Sequence, residues 1–342
     1  MADAVAGAIK ALARGKSLSA TDAGAAFDEI MRGEASPAQI GALLIGLRVK
    51  GETSDEVAGA ALALRRAMLR VEASATGELV DTCGTGGGTV GTFNISTAAA
   101  LVAAGAGVRI AKHGNRSFTS KCGSADVLEA LGVAIELPVA RVSEVLAEAG
   151  IVFMFAPLLH PAMRHIGPVR RELGIPTVMN LIGPLANPAG AARQVLGVAD
   201  RARLPLIAGA LQRLGAVHAM VVHGEPGMDE LSPLGMSAVI EVRGGAAREW
   251  SIDPATYNLA ASSASELAGG EPAANAKLIE EVLAGGGPAG ARNAVVLNAA
   301  AAIYVSGAVA DLGAGVEVAR AALAAGKGLA ALQRLRAATN KQ

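Results

Sequence analysis

Only two cysteines occur in the 342 residues, Cys83 and Cys122, which excludes a disulfide-stapled fold, and their spacing matches no zinc motif. Long apolar runs are missing too. Hydrophobic residues make up 52% of the chain and charged residues 18%, yet no stretch reaches the roughly 18 residues that a spanning helix needs. The richest, Ala98 to Val108, is interrupted by Gly105 and Gly107. A surplus of either charge is also absent. Thirty basic and thirty acidic residues give zero formal net charge, so no general field attracts nucleic acid or an anionic membrane. Small anions must be captured locally, by loops. The first residues lack a secretion pattern, because Asp3 and Lys10 interrupt what would be its apolar core. The expectation is a soluble, cytoplasmic protein with no nucleic-acid or membrane partner.

What is present divides the chain in two. Up to about Val71 the pattern is helical, with start signals at Ser36-Pro37-Ala38-Gln39 and at Thr53 with Glu56. Ile40, Leu43, Leu44 and Leu47 mark one helical face. From about Leu79, short β-branched runs alternate with helical stretches: Leu79-Val80, Val108-Ile110, Ile151-Phe155, Thr177-Val178, Val195-Val198 and Ala219-Val222. Such alternation predicts an α/β fold with a central, largely parallel sheet surrounded by helices. Val239-Val242 and Glu249-Ile252, joined through Gly244-Gly245, predict an appended hairpin, and alanine-rich helices follow Glu271. The expected organisation is a small helical domain, 1–73, joined by helices from about 161–190, and a large α/β domain, 74–342.

Two loops carry the chemistry. Asp81-Thr82-Cys83-Gly84-Thr85-Gly86-Gly87-Gly88 follows a strand signal and leads to a helix start at Asn94-Ile95-Ser96-Thr97. Glycines let backbone N–H groups converge on an anion, and a helix start adds donors and its dipole. The spacing is neither the Walker pattern nor the dinucleotide fingerprint, and a tight structural turn is the competing explanation. Asn94, Ser96 and Thr97 fit either helix capping or a phosphate with its metal. The second loop, Lys112 to Ser124, packs three cations and four hydroxyls into thirteen positions without hydrophobic periodicity. That is an anion-binding composition, with a solvated loop as the alternative. Loops after successive strands open at the carboxyl edge of a parallel sheet. Together they imply a substrate with several phosphates.

Gly84-Thr85-Gly86-Gly87, Asn94-Ile95-Ser96-Thr97, Lys112-His113-Gly114-Asn115-Arg116 and Gly123-Ser124-Ala125-Asp126 resemble, in order and spacing, the anthranilate phosphoribosyltransferases. So do His160-Pro161-Ala162-Met163, Gly183-Pro184-Leu185 and Asp229-Glu230-Leu231. The resemblance implies transfer of a phosphoribosyl group from phosphoribosyl diphosphate to the amine of anthranilate, in a homodimer joined through the helical unit. It assigns phosphoribosyl diphosphate to Gly84, Gly87, Gly88 and Thr92, to Asn94, Ile95, Ser96 and Thr97, to Lys112, His113, Gly114, Asn115 and Arg116, and to Ser117, Phe118, Thr119, Ser120 and Ser124. It assigns anthranilate to Gly84, Asn115 and Arg170, with His113, His160 and Pro184 lining the approach. Ser96, Asp229 and Glu230 are expected to hold two magnesium ions per subunit, and no residue is assigned as acid or base. Taken alone, Asp229-Glu230 would read as a solvated acidic turn, Arg170 as a surface charge and His160 as a helix-start cap or packed ring. One departure stands out: members of the family commonly carry aspartate where this chain has Gly88. A pyrimidine nucleoside phosphorylase on the same scaffold and a silent, nucleic-acid-binding relative are the competing functions. The hinge Arg170 disfavours the first, and zero net charge with the retained acidic pair disfavours the second.

Overall fold

A computed structural model describes residues 3–73, 78–117, 121–261 and 263–341. The N-terminal region forms α1 (Ala4–Leu12), α2 (Ala20–Met31), α3 (Pro37–Lys50) and α4 (Ser54–Ala67). Both predicted start signals close: Ser36 and Gln39 exchange hydrogen bonds, and so do Thr53 and Glu56. Glu56 is fully buried because its carboxylate also accepts from Leu18 N–H at 2.8 Å and from Lys50 at 2.9 Å. A buried charge needs such partners.

The seven-stranded sheet contains β1 (Leu79–Gly84), β2 (Arg109–Gly114), β3 (Ile151–Phe155), β4 (Arg193–Gly197), β5 (His218–Gly224), β6 (Ser237–Arg243) and β7 (Ala246–Ile252), in the order β3-β2-β1-β4-β5-β6-β7. The first five are mutually parallel, while β6 and β7 extend one edge as the antiparallel hairpin. Between the strands run α5 (Ile95–Gly105), α6 (Ser124–Ala130), α7 (Val139–Ala149), α8 (Ala156–Leu159), α9 (Met163–Leu173), α10 (Val178–Ile182) and α11 (Leu204–Arg213). After the hairpin come α12 (Pro272–Leu283), α13 (Ala289–Val305), α14 (Leu312–Ala324) and α15 (Lys327–Thr339).

One expected strand is not there. Thr177-Val178 opens α10, because the Thr177 hydroxyl accepts the Met179 N–H and Asn180 returns a bond to the Thr177 N–H. Two β-branched residues are too few to outweigh such a cap.

Strand side chains alternate between faces, and the alternation divides the core. Val195, Met220, Val222 and Val239 pack on the face covered by α5 and α13 to α15, whereas Leu196, Val221, Ile240 and Val242 pack with α11. The second cluster runs on without a break through Ile166, Val169, Val178 and Ile182 into Leu43, Leu44 and Leu47 of the bundle. Leu69 N–H donates to Leu159 O, Val71 N–H to Pro188 O, and Arg65 to Leu185 O, tying the bundle to the crossing segments. No helix among the described residues is long and apolar enough to cross a membrane.

Candidate active site

The carboxyl ends of β1, β2, β4 and β5 meet the loops singled out above. Gly86 and Gly87 adopt φ of 69° and 84°, in the left-handed region that glycine enters without a steric penalty. Gly84 and Gly197 answer to a different demand, that of space. A Cβ on Gly84 would lie 2.3 Å from Asp229 Oδ2, and one on Gly197 would lie 1.5 Å from the Asp229 carbonyl oxygen. The two strand ends form a floor on which Asp229 rests, and Gly86 N–H donates to its Oδ2 at 2.8 Å.

Glu230 turns toward the start of α5. The Thr92 hydroxyl lies 3.4 Å from its Oε2, and the Ser96 backbone also supports its carboxylate. Burial, and then the neighbouring Asp229, push the Glu230 carboxyl up to about 8; burial raises Asp229 as well. Two half-buried acids, with the Ser96 and Thr82 side chains lining the same small cavity, make an all-oxygen donor set. This fits a hard divalent cation such as magnesium, which takes one or two carboxylates and keeps waters for the rest.

Lys112 on β2 is buried, with Nζ donating to Thr82 O at 2.5 Å and to Ser96 Oγ at 3.3 Å. Burial pulls its ammonium pKa down, and the nearby Asp81 opposes that shift. Asp81, fully buried on β1, accepts from His113 N–H at 3.2 Å and from Asn187 Nδ2 at 2.8 Å. Burial raises the Asp81 carboxyl to about 6.

Asn94 precedes α5, yet its side chain makes no capping bond. Its Nδ2 donates to Cys122 O at 3.1 Å, and its Oδ1 accepts from Asn275 Nδ2 at 3.0 Å and from the Cys122 thiol at 3.3 Å. It therefore links the helix start to the second loop and to α12. Ile95 and Thr97 are both buried, Ile95 within the core. Thr97 lines a small apolar void with Leu101 and Leu128, away from the acidic pair.

In the second loop, Gly123 must be glycine because a Cβ there would come within 2.3 Å of Ser117 N. The Ser124 hydroxyl donates to Asn115 O at 3.3 Å, and Arg116 N–H to Asn115 Oδ1 at 2.7 Å. The Arg116 guanidinium is engaged by Asp126 at 3.0 Å and by Glu129, and sits 5.5 Å from the Phe155 ring centroid. Ser117 N–H donates to Asp126. Phe118, Thr119 and Ser120 lie outside the described residues.

On the side facing the bundle, His113 and His160 touch through their ring nitrogens at 3.1 Å. Burial pushes His113 down to about 3, with His160 and Lys112 adding to it, and burial lowers His160 to about 4. Pro184 presents its carbonyl to Gln194 Nε2 at 2.7 Å. Arg170 projects from α9, partly buried, and its guanidinium makes no hydrogen bond or ion pair to another described residue. A Cβ on Gly88 would meet Gly227 O at 3.0 Å and Asp229 Oδ1 at 3.4 Å, so an aspartate there would point at the acidic pair.

The structure thus gathers Gly84, Thr92, Ser96, Lys112, Asp229 and Glu230 at one edge, with His113 and His160 alongside. Sequence reasoning placed Asp81 in the first loop without a role of its own and did not single out Asn187, Asn275 or Asn298. Each is a polar residue buried among apolar neighbours, and that is the one signal that could have found them.

The model of the glycosyl transferase family a/b domain matches residues 76–329, and that of its helical bundle domain matches residues 6–68. The chain is 51% identical over 327 residues to an anthranilate phosphoribosyltransferase of Rubrobacter xylanophilus, covering 96% of this chain and 95% of that protein. It superposes with a TM-score of 0.92 on the crystal structure of the anthranilate phosphoribosyltransferase of Thermus thermophilus, at 44% identity over 99% of this chain and 100% of the other. The anthranilate phosphoribosyltransferase of Saccharomyces cerevisiae in complex with PRPP and Mg matches with a TM-score of 0.87 at 27% identity, over 99% and 98% of the two chains. The same yeast protein in complex with 4-fluoroanthranilate matches with a TM-score of 0.86 at 26% identity, over 98% and 97%.

Proposed function

The chain belongs to the anthranilate phosphoribosyltransferases of the glycosyl transferase family, and on that premise we propose how its residues perform the transfer. The reaction joins phosphoribosyl diphosphate to anthranilate, giving N-(5-phosphoribosyl)anthranilate and pyrophosphate, a step of tryptophan biosynthesis. The observation that carries the residue assignment is the convergence of the buried Lys112 ammonium and the Asp229-Glu230 pair on Ser96 and the neighbouring helix start.

Lys112, the Gly84 to Gly88 loop and the Ser96 hydroxyl bind phosphoribosyl diphosphate. Partial desolvation makes Lys112 a stronger electrostatic partner for a polyanion than a surface lysine. Ser96, Asp229 and Glu230 hold two magnesium ions, which supply countercharge to the diphosphate. Anthranilate enters between the sheet edge and α9, where the Arg170 guanidinium meets its carboxylate in two parallel hydrogen bonds. His113 and His160, kept neutral by burial, line that passage without adding charge. Arg116, already engaged by Asp126 and Glu129, holds the second loop in shape.

The C1–O bond of the ribose breaks and its electron pair leaves with pyrophosphate. The C1–N bond forms from the opposite face, and the amine proton passes to solvent. Positioning and electrostatic stabilisation account for this chemistry, with no covalent enzyme intermediate and no side-chain base. Residues 1–73 with helices from about 161–190 act as one unit and the remainder of 74–342 as the other, closing on the substrates at their junction. The homodimer joins through the bundle, where Val49 on α3 is 81% exposed, and the enzyme works in the cytoplasm.

The test is anthranilate fluorescence on mixing the protein with anthranilate, phosphoribosyl diphosphate and magnesium, each omitted in turn. Loss of fluorescence that requires all three supports the reading; a folded protein that instead cleaves thymidine with phosphate overturns it.

A further inference from the structure

We propose that Asn298 is a positioning residue for the magnesium-binding acids, clamping Leu231 so that Asp229 and Glu230 are held ready for the metal. The inference rests on the reading of Asp229 and Glu230 as metal ligands. These residues lie in an irregular stretch that belongs to neither helix nor strand, so no ladder of backbone bonds fixes them. Two half-buried acids side by side repel each other when both are ionised, which favours any movement that separates them.

Beyond the side-chain contacts of the two acids, Asn298 adds a constraint on the backbone from the middle of α13. Its Oδ1 accepts the Leu231 N–H at 3.0 Å and its Nδ2 donates to Leu231 O at 2.9 Å. The second Nδ2 hydrogen goes to Ala294 O at 2.9 Å, one turn back on its own helix. One carboxamide therefore pairs with both backbone groups of the residue after Glu230, and both its N–H donors are satisfied. The peptide planes on either side of Leu231 are set by a side chain whose own rotamer is fixed to the helix. Asn298 is 6% exposed and faces the same cavity as Asp229, Glu230 and Ser96. An asparagine in the alanine-rich run Val295 to Ala302 costs helix propensity, and a merely structural helix would be better served by alanine. Removing a residue that orients metal ligands characteristically weakens metal binding by about 10 to 100-fold.

The experiment measures manganese binding by electron paramagnetic resonance in the parent protein, in Asn298→Ala and in Val295→Ala, a core truncation on the same helix. The parent should bind manganese, Asn298→Ala should bind it about tenfold or more weakly, and Val295→Ala should match the parent. Equal weakening in both variants, or an affinity in Asn298→Ala within about twofold of the parent, overturns the proposal. A parent protein that binds no manganese overturns the metal reading and the proposal with it. Should Asn298→Ala not fold, hydrogen exchange of the Leu231 amide in the parent decides: slow exchange without metal supports the clamp, and exchange at the rate of an open loop refutes it.

Discussion

His160 Nε2 lies 3.1 Å from His113 Nε2, so the residue that ends α8 meets the carboxyl end of β2 in a buried contact between two neutral rings. One ring must donate and the other accept, and a proton added to either would have to be buried beside Lys112. Both folded-state values, about 3 and about 4, lie below the ordinary 6.5. The unfolded chain therefore binds more protons than the folded one between these limits. The stability these rings contribute is present above 6.5 and is lost as pH falls toward 4. Denaturation midpoints measured from pH 7 to pH 4 should show this loss, and His160→Gln should flatten it. An unchanged pH slope in the variant would remove the pair from the account.

Gly197 is held to glycine by contact. With a Cβ 1.5 Å from the Asp229 carbonyl oxygen, Gly197→Ala must displace Asp229, β4 or both. Overpacking of this kind costs about 1–3 kcal/mol, a modest share of a domain's stability. Calorimetry should find a folded protein of lower Tm, and isothermal titration should find magnesium binding largely lost. Retention of parental magnesium affinity would show that Asp229 is not where the metal binds.

Gly88→Asp would bring a third carboxylate toward Asp229 across a contact that needs a few tenths of an ångström of adjustment. The added charge strengthens the attraction for a divalent cation. The magnesium concentration giving half-maximal rate should fall, while Tm without metal should also fall. An identical magnesium profile would mean that Gly88 has no bearing on the metal.

Lys112→Met removes the buried ammonium but keeps much of its length. The KM for phosphoribosyl diphosphate should rise and kcat/KM should drop by about 100-fold or more, as when a fixed donor to developing charge is lost. Anthranilate binding should change little. Steady-state kinetics with each substrate varied separates the two, and an unaltered KM for phosphoribosyl diphosphate would contradict the role given to Lys112.

Asn94→Ala strips the second loop of its tie to α5 and α12. Leaving Asn275 and the Cys122 carbonyl without their partner costs about 1–3 kcal/mol. The Cys122 thiol, now buried, should react faster with iodoacetamide in the variant, and phosphoribosyl diphosphate should slow that reaction. Equal rates in parent and variant would show that Asn94 does not hold the loop.

Much of the architecture was legible in the chain. The Ser36 and Thr53 boxes are short-range chemistry, complete within four residues, and the alternation of apolar strands with helical stretches is enough to specify a parallel sheet. The two anion loops were recognisable because glycine and clustered cations have few other uses together. Thr177-Val178 shows the limit, since a two-residue β-branched signal cannot be told from a helix start until a cap partner, Asn180, is seen to close on it.

What only the tertiary structure decided is which side chain faces which. Asn94 stands where a cap is expected, yet it reaches Cys122 and Asn275, which are 28 and 181 positions away. Arg116 carries a charge suited to phosphate but is engaged by Asp126 and Glu129. The roles of Asp81, Asn187 and Asn298 are not written in any motif, and lie in contacts across 32, 106 and 67 positions. Local chemistry determines caps, turns and periodicity because its partners are neighbours in sequence. The burial that shifts His113 and Glu230, and the close approach that requires glycine at 197, exist only once distant strands have been brought edge to edge.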